Sequence, residues 1–139
     1  MQGGRSENVE LVRHSLEAFG RGDFDTAFAV HDANTEWHTA GDEPDQQVYR
    51  GIAALDRFVE SLREPWEDRF EGVMEFEDFI ERGDWVVVPW SARLRGRGSG
   101  IAVDIRETYA VQVRDGSIVR VEEYRHVEDA LRRLDASPR

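Results

Sequence analysis

The spacing of apolar residues changes partway along the chain, and this change limits the fold more than any other feature. In the first half apolar residues recur at the roughly 3.6-residue spacing of helices, whereas from Phe70 onward they recur at about every second residue, as in strands. Phe70, Met74, Phe76 and Ile80 share one side of an extended segment whose other side is acidic. The sequence therefore predicts helices followed by an antiparallel sheet, which is the α+β class.

Capping residues and helix breakers predict three helices in the first half. Ser6 caps the first helix, which Gly20 ends, and Asp23 caps the second, whose apolar stripe includes His31. Gly51 opens the third helix, which a proline stops. The predicted helices cover about residues 6–19, 23–34 and 51–62.

Turn signals divide the rest of the chain into strands. Two short strands flank a polar loop that carries Gly41 and Pro44, and four longer strands follow as a meander because Gly83-Asp84, a glycine-rich segment and Asp115-Gly116 each turn the chain. The predicted strands cover about residues 35–39, 48–50, 70–81, 85–95, 101–114 and 118–126, and a last short helix covers about 128–134.

Composition narrows both the partners and the chemistry. The net charge is −11 and the basic residues are scattered arginines, so we expect no nucleic acid and no membrane as partner. The chain has no Cys and no Lys, which excludes thiolate chemistry and Schiff bases. No apolar run has the length of a signal peptide or a membrane span, so we expect a cytoplasmic protein. Residues 1–139 are predicted to form one domain with an ordered core at about 6–134.

Short motifs, taken in order, resemble the SnoaL-like proteins of the nuclear transport factor 2-like superfamily. They lie between the first two helices, in the first strand, before the third helix and at the turns of the sheet, so the resemblance covers nearly the whole chain. The motifs are Ala18-Phe19-Gly20-Arg21-Gly22-Asp23, Glu36-Trp37, Tyr49-Arg50-Gly51, Gly83-Asp84, Ser99-Gly100 and Arg114-Asp115-Gly116-Ser117-Ile118-Val119.

The resemblance implies a cone-shaped roll in which a curved, mainly antiparallel sheet wraps around three N-terminal helices, with a short C-terminal helix. It also implies a homodimer and a pocket inside the cone. The superfamily includes ketosteroid isomerase, polyketide cyclases, scytalone dehydratase and limonene epoxide hydrolase, beside members that only bind ligands or partners. Its enzymes move protons on a small hydrophobic molecule with carboxylates and without a cofactor. We therefore expect such a molecule as partner and no cofactor.

Glu123 and Arg106 are the first candidate catalytic residues. They lie on strands joined by a tight hairpin, and Val121-Glu122-Glu123-Tyr124 resembles the last strand of limonene epoxide hydrolase, which supplies a water-activating carboxylate. The resemblance assigns proton abstraction to Glu123 and the steadying of anionic groups to Arg106. It fails at Thr108, where that family carries a second acid. A cross-strand salt bridge on a solvated or dimer face is the competing interpretation.

His38 is the third candidate. By similarity to ketosteroid isomerase, the position of the catalytic base falls on Trp37 or His38, and the position of the tyrosine donor falls on Ser15 or His14. A histidine could serve as the base because its ordinary pKa lies near neutrality. A strand histidine without catalytic duty remains the alternative.

The resemblance also implies a set of ligand contacts inside the cone. Strand alternation places Tyr124 and His126 opposite Glu123, and the resemblance favours Glu123 inside. The four histidines lack the spacing of metal ligands, so no metal is expected, and the glycine-rich segment at 96–100 predicts a hairpin turn rather than a phosphate loop. The expected ligand-binding residues are Trp37, Ser15, Tyr49, Thr108 and Tyr124.

Three functional hypotheses stay open from the sequence. The first is a cofactor-independent isomerase, cyclase, dehydratase or hydrolase that uses acid–base chemistry on a small hydrophobic molecule. The second is a binding or protein-interaction module of the same fold. The third is a dimer whose cone is filled by its own side chains.

Overall fold

Helices occupy the first half of the chain and long strands the second, so the predicted α+β class and element order are confirmed. The computed structural model describes residues 6–40 and 47–136, and the predicted loop that carries Gly41 and Pro44 lies outside this part. In chain order the elements are α1 (Glu7–Gly20), α2 (Phe24–Ala29), β1 (His31–His38), β2 (Val48–Arg50), α3 (Ile52–Arg63), β3 (Met74–Phe76), β4 (Ile80–Arg82), β5 (Trp85–Arg95), β6 (Ala102–Arg114), β7 (Ser117–Tyr124) and α4 (Val127–Ala136).

The predicted caps form the hydrogen bonds that start the first two helices. Ser6 Oγ accepts from the backbone N–H of Val9 at 3.1 Å, and Asp23 Oδ1 accepts from the N–H of Thr26 at 3.3 Å. Gly51, which precedes α3, has φ of 83°, a left-handed conformation that glycine adopts without a Cβ penalty.

Two boundaries differ from the sequence prediction. His31 begins β1 instead of extending α2, because it pairs with Ile118 of β7 and its Nδ1 lies 2.9 Å from Thr35 Oγ1. The predicted strand at 70–81 is split into β3 and β4, which both pair with β5. Phe70 stands outside this strand with φ of 61°, and its ring is buried against Trp90. Tertiary pairing and packing thus override the local pattern.

The described strands form one curved, unclosed sheet in the order β2-β1-β7-β6-β5-β3, with β4 beside β5. All pairs are antiparallel except β1 with β7. The inner face packs against α1, α2 and α3, and the outer face is partly covered by α4. Inner-face residues of the long strands include Val86, Val88, Trp90, Tyr109, Val111 and Val121, and outer-face residues include Val87 and Ala110, which meet Ala130 of α4.

A bulge in β7 sets the faces of the last strand. Gln112 pairs with Arg120, but the next residue of β6, Val113, pairs with Ile118, so β7 carries one extra residue. Ile118 and Val121 are therefore both buried in the inner core although they are three residues apart. From Arg120 onward the predicted alternation holds.

Candidate functional site

Glu123 lies on the inner face of β7 and is held by a tryptophan. Trp37 Nε1 donates to Glu123 Oε2 at 2.7 Å, and Trp37 pairs with Val121 across the parallel β1–β7 ladder. A charge-assisted bond of this length fixes the carboxylate relative to both strands. Glu123 is half-buried, so its charge is only partly exposed to solvent.

The tryptophan that orients Glu123 is itself locked by aromatic packing. Trp37 is 1% exposed, and its ring centroid lies 5.7 Å from that of Phe19, 5.1 Å from that of Phe58 and 5.2 Å from that of Tyr109. Contacts of this kind add to the burial of large apolar rings. The carboxylate therefore stands at the wall of a rigid aromatic interior.

Tyr109 faces Glu123 directly across the β6–β7 ladder. Burial raises the pKa of the Tyr109 hydroxyl well above its ordinary value, and the negative charges of Glu123 and Glu107 raise it further. Tyr109 therefore keeps its proton at neutral pH and is a hydrogen-bond donor next to the carboxylate.

Two further residues extend this group along the inner face. Glu107 lies two residues before Tyr109 on the same side of β6, and it pairs with Trp90 of β5. The Trp90 ring centroid lies 5.3 Å from that of Tyr109, and Trp90 is 3% exposed. Glu123, Tyr109, Glu107, Trp37 and Trp90 are called the inner-face cluster below.

Arg106 does not belong to this cluster, and the predicted pairing of Arg106 with Glu123 is wrong. Arg106 pairs with Ser91 on the outer face, and its side chain is 77% exposed. Its Nη1 donates to Glu77 Oε2 at 3.3 Å. The physical reason is strand alternation: successive side chains point to opposite faces of a sheet, so Arg106 points away from the face that carries Glu107, Tyr109 and Glu123.

His38 also lies on the outer face, one residue after the inward-facing Trp37. Its Nε2 lies 2.8 Å from Glu36 Oε1, and Glu36 also accepts from Arg50 and Arg120. Hydrogen bonds from His38, which outweigh the cost of burial, and from Arg50 lower the pKa of Glu36 below its ordinary value. The structure therefore separates His38 from Glu123 by the thickness of the sheet.

Four of the five expected ligand contacts divide between the two faces of the sheet. Trp37 and Tyr49 pair across β1 and β2 on the inner face. Thr108 and Tyr124 pair across β6 and β7 on the outer face. Ser15 is buried between α1 and α2, where its Oγ donates to the carbonyl of Ala27 at 2.8 Å. Of the five, Trp37 contacts Glu123, and Tyr49 shares its face but lies on β2, which β1 separates from β7.

Tyr124 belongs to a separate outer-face network centred on Glu122. The Tyr124 hydroxyl donates to Glu122 Oε1 at 2.6 Å, Arg120 Nε donates to Oε2 at 2.6 Å, and Arg133 of α4 donates to Oε2 at 3.0 Å. Burial alone would raise the pKa of Glu122, but these hydrogen bonds and charges outweigh it, so the pKa is lowered. The network attaches α4 to the sheet.

Tyr109, Glu107 and Trp90 are the site residues that the sequence prediction missed. The sequence of β6 contains a signal for Tyr109 and Glu107. Val111 and Val113 are apolar, and because every second residue of a strand lies on the same face, Tyr109 and Glu107 share the face of these two valines. The prediction instead used the family resemblance and chose Arg106 and Thr108, which lie on the other face of β6.

A cleft of about 500 Å³ opens beside Trp90 and Glu107 of the cluster, and outer-face residues such as Arg106 and Thr108 also line it, whereas Glu123, Tyr109 and Trp37 do not. This volume falls within the range of small-molecule sites, which is roughly 300–1,000 Å³. Among the described residues, no three His, Asp or Glu side chains are grouped as ligands for a metal ion, and no helix is both long and apolar enough to cross a membrane. The cleft is lined by Glu77, Pro89, Trp90, Arg106, Glu107, Thr108, Arg125, His126, Val127 and Glu128.

A protein-family model matches most of the chain. The model of the SnoaL-like domain matches residues 12–121, a stretch that contains Trp37, Trp90, Glu107 and Tyr109 and ends two residues before Glu123. No curated protein sequence matches the chain.

Solved structures share the fold at low sequence identity. An NTF2-like protein from Burkholderia xenovorans LB400 is 26% identical with a TM-score of 0.65, covering 93% of this chain and 98% of that one. A candidate SnoaL-like polyketide cyclase from Jannaschia sp. CCS1 is 21% identical with a TM-score of 0.72, covering 99% and 100%. TerC, crystallised with polyporic acid, is 23% identical with a TM-score of 0.71, covering 95% and 100%.

Proposed function

The chain belongs to the family of SnoaL-like domains, and from this premise we propose that it is a cofactor-independent enzyme that moves protons on a small, largely apolar molecule. The proposed reaction class comprises isomerisation, cyclisation, dehydration and hydration. One observation carries the proposal: the carboxylate of Glu123 is fixed by Trp37 at 2.7 Å and stands opposite the protonated hydroxyl of Tyr109 among aromatic rings.

In this proposal Glu123 is the general base. A carboxylate in a partly desolvated, aromatic environment can take a proton from a carbon next to a carbonyl group if the substrate is held in contact with it. Trp37 supplies the positioning, since its N–H fixes the side chain from one side. Acid–base placement of this kind contributes about 10²- to 10⁴-fold in rate.

Tyr109 is the proposed donor to the developing oxyanion. Its hydroxyl keeps its proton because of burial and the nearby carboxylates. When Glu123 takes a proton it becomes neutral, and the charge that opposed an anion beside Tyr109 is removed at the same step. A neutral donor in such a site stabilises the negative charge that forms on oxygen in the transition state.

A binding module of the same fold is the second candidate function. The feature that favours it is that neither Ser15 nor His14 is the tyrosine donor of ketosteroid isomerase, that Ser15 already donates to Ala27, and that Trp37 or His38 stands where ketosteroid isomerase has its carboxylate base. TerC, which shares the fold, was crystallised with polyporic acid, so a small organic ligand without turnover is the simplest form of this alternative. A homodimer remains part of either proposal.

Deuterium exchange separates the two functions without knowledge of the natural substrate. The probe is 2-acetonaphthone, a neutral aromatic ketone whose methyl protons exchange when a base removes them. In D₂O we expect the protein to accelerate this exchange, Glu123→Gln to lower the acceleration by about 10²- to 10⁴-fold, and Glu75→Gln, at an exposed carboxylate, to leave it unchanged. Binding of the ketone without exchange would favour the binding module, and equal exchange in both variants would exclude Glu123 as the base.

A further inference from the structure

The first half of β6 has a free edge. β5 accompanies β6 from Gln112 to Ala102, whereas β7 stops at Tyr124, opposite Thr108. No described strand lies beside residues 102–107 on the side that β7 occupies further along. The hairpin of β5 and β6 therefore projects beyond β7 with one side open. An open strand edge presents backbone donors and acceptors that can pair with another chain.

Hydrogen bonds at the two ends of the β5–β6 ladder show which backbone groups point at this edge. The N–H of Gly96 donates to the carbonyl of Ile101 at 2.9 Å, and the N–H of Val113 donates to that of Asp84 at 2.8 Å. Opposite pairs of antiparallel strands alternate between bonded and non-bonded. The odd-numbered residues of β6 therefore bond β5, and the even-numbered ones point their backbone groups the other way. At the free edge no described backbone group bonds them. These residues are Ala102, Asp104 and Arg106.

The same stretch carries the exposed large apolar side chains of the described residues 6–40 and 47–136. Ile101 is 65% exposed and Val103 is 38% exposed. Both lie on the inner side of the strand, because Val103 pairs with the buried Leu94, and Ile105 on the same side packs against the inner core. One added strand would thus bond the open backbone groups and cover both exposed side chains.

We propose that this edge pairs with the same edge of a second copy of the chain, antiparallel, so that Val103 lies opposite Val103 of the partner subunit. In this register Ala102 lies opposite the partner's Asp104, and Asp104 lies opposite the partner's Ala102. Both are pairs of even-numbered residues, so each exchanges two backbone hydrogen bonds. The inference concerns the assembly of the protein and does not depend on the proposed function.

The side chains favour this register over its neighbours. It places Ile101 opposite the partner's Ile105, so the apolar inner side continues across the two chains, and it opposes Asp104 to an alanine. A shift that opposes the two copies of Asp104 brings like charges together. The next shift in that direction places the partner's Ala102 opposite Thr108, where β7 already pairs. A shift the other way leaves Asp104 beyond the end of the partner's strand. The edge is thus self-complementary in one register, which favours a second copy as its occupant.

Single cysteines test the register, because the chain has no Cys of its own. The two copies of residue 103 would form a non-bonded pair with Cα atoms about 4.5 Å apart, inside the disulfide range of roughly 4.4–6.8 Å. We expect Val103→Cys to form a disulfide-linked dimer under mild oxidation. Asp104→Cys and Ile105→Cys, which oppose themselves in the two shifted registers, should cross-link no more than Glu75→Cys, an exposed control on β3. Stronger cross-linking of either shifted position than of Val103→Cys would overturn the inference.

Sedimentation velocity over a range of concentrations tests whether the edge holds two copies together without a cross-link. Asp104→Pro removes an N–H that points at the edge and leaves the ladder with β5 intact, so we expect about 10- to 100-fold weaker association, whereas Asp104→Ala keeps the dimer. Val103→Asp opposes two carboxylates and should leave monomer, whereas Val103→Ile should keep the dimer.

Circular dichroism of each variant separates loss of pairing from loss of the fold. A monomeric wild type would overturn the inference. A dimer that survives both Val103→Asp and Asp104→Pro would also overturn it, because the two copies would then meet through another surface. Neither result bears on deuterium exchange by the chain, so the proposed function is tested separately.

Discussion

Trp37 and Glu123 are 86 residues apart in sequence and are joined by a 2.7 Å hydrogen bond from the indole Nε1 to the carboxylate Oε2. The bond connects β1 to β7, the one parallel pair among the described strands. Because Trp37 is packed between Phe19, Phe58 and Tyr109, the position of the carboxylate depends on the aromatic core. The stability of the fold and the geometry of the site are thus coupled at this contact.

The first prediction concerns this coupling. Trp37→Phe removes the donor to Glu123 and leaves a void among the rings, so we expect the free energy of unfolding to fall by about 1–3 kcal/mol. Glu123→Gln retains an acceptor oxygen for the indole and should cost less than about 1 kcal/mol. Urea denaturation of both variants measures these values, and a double variant that combines Trp37→Phe with Glu123→Ala, which removes the acceptor, measures the coupling. Strictly additive losses in the double variant would show that the hydrogen bond does not link the two residues.

The second prediction concerns the carboxylate on the other face. The pKa of Glu122 is lowered from 4.5 in the folded state, so its charged form stabilises the fold above the unfolded-state pKa, and this contribution is lost as pH falls through the folded-state value. Glu122→Gln should therefore destabilise the fold at pH 7, and the difference from wild type should shrink below about pH 4.5. Urea denaturation at a series of pH values checks this, with Glu75→Gln as the exposed control. A difference independent of pH would contradict it.

The third prediction concerns His31 at the start of β1. Burial lowers the pKa of His31 from 6.5 to about 4, so the folded chain keeps this ring neutral while the unfolded chain takes up a proton below pH 6.5. Stability should therefore fall between pH 6.5 and about 4, with a slope approaching ~1.4 kcal/mol per pH unit from this group. His31→Asn, which can still bond Thr35, should lack that part of the slope. An NMR titration that finds His31 protonated at pH 6 would contradict the prediction.

The sequence predicts the element order because periodicity, caps and turn residues are local signals. Alternation along β6 also predicts that Tyr109 and Glu107 share one face of the strand. It does not identify which face is the inner one, since both faces carry some buried residues. That depends on α4, which covers Ala110 and Val87 and so buries part of the outer face as well.

Contacts between distant segments leave no local signal in one sequence. The parallel pairing of β1 with β7 joins two strands from opposite halves of the chain, and the hydrogen bond from Trp37 to Glu123 depends on this pairing. The late start of the strand predicted at 70–81 is of the same kind, because Phe70 adopts a positive φ and buries its ring against Trp90. The catalytic and ligand-binding roles of the candidate residues remain predictions until activity is measured.

The last prediction separates function from packing at Tyr109. Among residues 6–40 and 47–136, the described contacts of Tyr109 are those of its ring, so Tyr109→Phe keeps the packing with Trp37 and Trp90 and removes only the hydroxyl. We expect the free energy of unfolding to change by less than about 1 kcal/mol, whereas the accelerated deuterium exchange of 2-acetonaphthone should fall by about 10²- to 10³-fold. Because the pKa of Tyr109 lies well above 10.0, the wild-type rate should show no loss from its ionisation up to that pH. Parallel losses of stability and exchange in Tyr109→Phe would instead assign the residue to the core alone, since a proton donor to the substrate has no reason to stabilise the unliganded fold.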